Sequence, residues 1–69
     1  MRIKYFEDTD TALVELSNNP PVETRELSEN IYLDLDSNGN VVSITIEHAS
    51  AATDMREFLF QRIPAAAPM

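Results

Sequence analysis

Apolar and polar residues alternate in short runs from the N-terminus to Glu47. That period of two is expected of half-buried β-strands, whose successive side chains point to opposite faces. Arg2–Phe6 sets Ile3 and Tyr5 on one side. Glu7-Asp8-Thr9-Asp10 follows, a run of turn formers whose short polar side chains bond neighbouring amides. Thr11–Ser17 then sets Ala12, Val14 and Leu16 against Leu13 and Glu15. Asn18-Asn19-Pro20-Pro21 breaks the ladder, because proline supplies no backbone donor. Val22–Ser28 carries charges on both faces, the pattern of a sheet edge guarded against unwanted pairing. Ile31–Asp36 alternates Ile31, Leu33 and Leu35 with Tyr32, Asp34 and Asp36. Val41–Glu47 alternates Val42, Ile44 and Ile46 with Ser43, Thr45 and Glu47. Between these two runs stands Asn38-Gly39, which predicts a hairpin because both residues accept positive φ. His48 continues the register of the apolar set at the end of the last strand.

The period then changes. Over Ser50–Ile63, Met55, Phe58, Leu59 and Ile63 fall on one helical stripe. Ser50 and Thr53 are candidate N-caps, and Asp54 would lie near the positive end of the helix dipole. Phe60 lies off the stripe and is left for a partner chain. Pro64 ends the element by disfavouring helical geometry at Ile63. The pattern as a whole predicts an α+β fold, an antiparallel β-meander of four or five strands with one C-terminal α-helix packed on the sheet. It forms a single domain over residues 1–63, followed by a flexible tail over residues 64–69. The order of the strands stays open.

Size bears on assembly. A chain of 69 residues buries only about 60% of the surface its unfolded form exposes, so small domains draw on disulfides, metals or partners. The chain has no cysteine and one histidine, which leaves oligomerisation, and a homodimer or higher homo-oligomer is expected. Twelve acidic residues against five basic ones give a net charge of −7. Such a surface repels nucleic acid and anionic membranes and suits a basic protein partner. No apolar run has the length of a signal-peptide core or a membrane span, and a cytoplasmic location is expected.

Candidate chemistry is sparse. Asp34, Asp36, Asn38 and Gly39 have the spacing of the first half of a calcium loop, but the bidentate Glu needed at the twelfth position is Thr45. The simpler account is an acidic strand running into an Asn-Gly hairpin. Glu47-His48 is the only acid–imidazole neighbour pair, and adjacent strand residues point to opposite faces. Glu7, Asp8 and Asp10 read as a solvated turn. Arg25, between Glu23 and Glu26, is expected to pair with an acid across strands. No catalytic, cofactor-binding or metal-ligating residue is assigned.

The order of these segments resembles the small bacterial proteins of domain of unknown function 2283. The resemblance rests on Lys4, Tyr5, Asp10, Ala12, Leu13 and Leu16 in the first hairpin, then Glu23-Thr24-Arg25-Glu26. It continues through Asp34, Gly39, Val42, Ile44, Ile46, Ala49 and Ser50. Phe6 stands where the family commonly has Asp, Ser43 where it has Gly, and Thr45 where it has Glu. The resemblance implies a β-rich fold and no established activity. Family members sit beside small ribonuclease-like toxin genes in some genomes, which implies an antitoxin-like role. The leading expectation is a non-enzymatic protein-interaction module. The alternative is a small enzyme or ligand-binding protein with a site at a dimer cleft near His48.

Overall fold

The computed structural model describes residues 1–66. Five strands form one antiparallel sheet: β1 (Arg2–Phe6), β2 (Thr11–Glu15), β3 (Glu23–Ser28), β4 (Ile31–Leu35) and β5 (Val41–Glu47). They are followed by a single helical turn, α1 (Ala49–Ala52). The strand order is β1-β2-β5-β4-β3. Each hairpin joins neighbours, while the β2–β3 connection carries the chain past β5 and β4 to the far edge. β5, the richest in β-branched residues, therefore sits at the centre.

Register places the apolar residues on one face. One row across the sheet runs Arg25, Leu33, Ile44, Val14, Ile3; the next runs Ser28, Ile31, Ile46, Ala12, Tyr5. The other face carries Lys4, Glu15, Thr24, Asp34, Ser43 and Thr45. Lys4 pairs with Glu15 at 2.9 Å. Asp34 accepts the Thr24 hydroxyl at 2.6 Å and the Ser43 hydroxyl at 2.8 Å, a polar rung spanning β3, β4 and β5. β3 lies at an edge, exposed along its whole length and bulged at Glu26/Ser28, as a guarded edge strand should be.

Buried apolar residues are few: Ala12, Leu35, Val42 and Ala49. They lie at the two ends of the sheet. At one end α1 docks against the β1–β2 turn, its Ala49 amide donating to the Asp10 carbonyl. At the other, the Leu16–Val22 crossing is tied to the hairpin. Its Leu16 amide donates to the Val42 carbonyl, and its Val22 amide donates to the Leu35 carbonyl. Between the ends, Val14, Leu33 and Ile44 are only half-buried.

The predicted helix over Ser50–Ile63 is corrected to one turn. Thr53 turns extended (φ −140°, ψ 163°), and both its amide and its hydroxyl donate to the Ala49 carbonyl. Asp54 then takes the Arg56 amide and guanidinium on its own carboxylate. Local side-chain bonds of this kind compete with helix. An isolated helix of that length is marginal in water unless tertiary packing supports it. Here the stripe finds little support: Met55 is half-buried, but Phe58, Leu59 and Ile63 are 69%, 74% and 81% exposed. Neither Ser50 nor Thr53 is the N-cap. That position is held by His48, which makes no side-chain cap bond, and Thr53 is the C-cap. Of the expected tail, residues 64–66 have no regular structure, and residues 67–69 lie outside the described residues.

Candidate functional site

The acidic hairpin turn is built around Asp36, which is buried. One carboxylate oxygen accepts the Asn38 and Asn40 amides, each at 2.9 Å, and the other accepts the Asn19 side-chain amide at 3.1 Å. Gly39 supplies the positive φ of +82° that the turn requires. The Asn40 amide above all, helped by Asn19 and Asn38, holds Asp36 below the ordinary carboxylate range against the opposing pull of burial. The lone pairs a calcium ion would need are thus engaged by the chain itself. Thr45 stands in the β5 ladder opposite Tyr32 and Leu13, away from the turn. Among the described residues, no three His, Cys, Asp or Glu side chains come together as a metal-binding group.

Asp10 does a similar structural task at the other end. It takes a left-handed φ of 55°. Its carboxylate accepts the Tyr5 hydroxyl at 2.5 Å, the Ser50 amide at 3.0 Å and the Ser50 hydroxyl at 2.7 Å. This long-range cap serves the amide that no residue next to α1 satisfies. The Tyr5 hydroxyl, then Ser50, lower the Asp10 pKa, and Asp10 in turn raises that of Tyr5. Glu7 and Asp8 remain on the exposed turn.

His48 does not continue the apolar face. It leaves the strand in a left-handed conformation (φ 53°) and is exposed. The three concavities at the β1 border, along residues 50–56 and beside Arg2 are lined by other side chains. Arg25 pairs within its own strand, with Glu23 at 3.2 Å, and not across the sheet, where its neighbour is Leu33. On the polar face Tyr32 lies among acids: Glu47 foremost, then Glu26 and Glu29, raise its pKa together with partial burial.

These shifts give a prediction. Tyr5 and Tyr32 are the chain's two tyrosines, and both phenols are pushed above their ordinary value near 10. A folded-state pKa raised in this way stabilises the fold below pH ~10, and the contribution is lost as pH climbs through the raised value. An ultraviolet absorbance titration is expected to show both tyrosinates forming late. Asp10→Asn should return one of the two transitions, Tyr5, toward the ordinary value and leave the other in place.

What sequence reasoning missed is the state of the apolar face. Among the described residues no helix lies over it, and its central residues Val14, Leu33, Ile44 and Ile46 are half-open to solvent. At its β1 border, Met1, Ile3, Phe58 and Phe60 line an open trough of about 560 Å³. The signal available in the sequence was Asp54 two residues before Arg56, a short acid whose side chain takes the backbone amide in competition with helix.

The family model for protein of unknown function DUF2283 matches residues 2–50, more than half of the chain. The chain belongs to the DUF2283 family. The match spans all five strands and ends within α1, so the DUF2283 region is the sheet with its two end clamps, and the exposed apolar segment after Ala52 lies beyond it. Searches of the curated proteins and of the solved structures found no match. No described helix is long and apolar enough to cross a membrane.

Proposed function

We propose that this DUF2283 protein is a non-enzymatic protein-interaction module whose working surface is the uncovered apolar face of the sheet. The observation that carries the reading is the row Leu33, Ile44, Val14, Ile3, continuous across four strands and covered by no other element among the described residues. Exposed apolar surface of this extent, rimmed by polar residues, marks interaction sites. The remaining surface is acidic, with Glu26, Glu29 and Glu47 gathered around Tyr32. That favours a basic client, and masking a basic ribonuclease-like partner in the manner of an antitoxin is the finer form of the proposal. His48 is exposed and makes no side-chain cap bond, so no observation favours the alternative of a site built on it.

The immobilised wild-type chain, incubated with native lysate at low and high salt, tests this. The expected result is capture of a basic protein that is released by salt and lost with Leu33→Lys. Equal recovery on the wild-type and Leu33→Lys chains would dispose of the apolar face as the working surface.

A further inference from the structure

We infer that the occupant of the apolar face is a second copy of this chain, seated face to face with the C-terminal segment of each copy along the border of the pair. The inference rests on the interaction-surface reading above and names its partner.

Area supports it first. The chain exposes 5769 Å². A compact protein of 7.8 kDa is expected to expose about 4,400 Å². Its radius of gyration is 14.8 Å, where compact packing of this length gives about 11 Å. The surplus surface, on the order of 1,400 Å², is shared between the open face and the extended segment after Ala52, and covering both in one interface would exceed the roughly 800 Å² per partner of a standard one. It is also apolar where it counts: Ile3, Phe58, Leu59, Phe60 and Ile63 are 40–81% exposed.

Charge supports it second. The net charge of −7 is carried elsewhere, on the turns and the polar face, while Asp54 and Glu57 balance Arg56 and Arg62 in the C-terminal segment. Register gives the apolar face Glu23 and Arg25, which already pair with each other at its β3 border. The face is close to neutral, so two like-charged copies do not repel across it. An apolar centre with a paired polar rim is the anatomy of a homodimer interface, and two sheets pack face to face at about 10 Å. The acidic polar faces then point outward from both copies and stay available to a client.

Light scattering and sedimentation on the full chain, from about 1 to 300 μM, test the inference beside three variants. These are Leu33→Lys on the face, the double variant Phe58→Ser/Phe60→Ser on the segment, and Leu13→Lys on the opposite face. The expected mass is twice that of the chain for wild type and for Leu13→Lys. Loss of each aromatic anchor should weaken association about tenfold or more. Because Phe58 and Phe60 are exposed and belong to no strand, that double variant should keep the wild-type circular dichroism whether or not Leu33→Lys folds. A wild-type monomer across the range overturns the second copy as occupant. So does a dimer unaffected by the double variant. If that monomer still captures a basic protein in a Leu33-dependent way, the interaction surface stands with a different occupant. If it captures none, the surface reading falls as well.

Discussion

Leu35→Ala is expected to leave most of the population unfolded at 25 °C. Leu35 and Val42 are the only buried side chains larger than alanine in the apolar set among the described residues. Leucine-to-alanine changes at such sites cost about 2–5 kcal/mol, because the transfer free energy is lost and a cavity remains. A domain of this size draws only about 3–5 kcal/mol from its core. The position is also where the β2–β3 crossing is fastened, through the Val22 amide on the Leu35 carbonyl. Urea unfolding followed by circular dichroism checks it. Val22→Ala, at a side chain 66% exposed, should change stability by no more than about 0.5 kcal/mol. Equal midpoints for the two variants would show that the stability lies elsewhere.

Asp36→Ala is expected to lower the melting temperature by an amount that shrinks in acid. At neutral pH it strips the partner from the Asn38 and Asn40 amides and from the Asn19 side chain. It thereby loosens the hairpin turn and the crossing together, and a fall on the order of 5–10 °C follows from losing several bonds to one charged acceptor. The sign of the pH dependence comes from the lowered folded-state pKa of Asp36. Its stabilisation is complete above the unfolded value near 3.8–3.9 and disappears as pH falls through the lower folded value. Asp10 and Glu15, lowered chiefly by Tyr5 and Lys4 respectively, lose their contributions in the same direction. Thermal scans of wild type and Asp36→Ala at pH 7 and near pH 3 should therefore converge in acid. A gap that stays constant would mean that the carboxylate charge plays no part.

The strands were legible in the sequence because each is a local pattern. Ile31, Leu33 and Leu35 against Tyr32, Asp34 and Asp36 admits only one facing, and Asn38-Gly39 fixes the turn after them. The edge role of β3 followed from charges on both of its faces. Strand order was not legible, since nothing local tells β2 to pair with β5. The clamps were hidden for the same reason. Asp10 reaches Ser50 and Asp36 reaches Asn19 across long stretches of chain, so a cluster of turn-forming acids and a half calcium loop each hid a structural anchor. The helix was misread because Met55, Phe58, Leu59 and Ile63 have helical spacing, yet spacing stabilises a helix only where a surface receives the stripe. For the same reason the open face went unseen.

The insertion of β5 between β2 and β4 also constrains the chain as it leaves the ribosome. β1 and β2 emerge first and can zip as a hairpin, and β3 and β4 can follow as another. Neither pair can join the other until Val41–Glu47 has been synthesised, because that strand bridges both. The sheet is thus completed from its outer hairpins inward, with its central strand arriving last. A nascent chain stalled before Val41 would hold two unsupported hairpins with unpaired inner edges, the species in which premature aggregation concentrates.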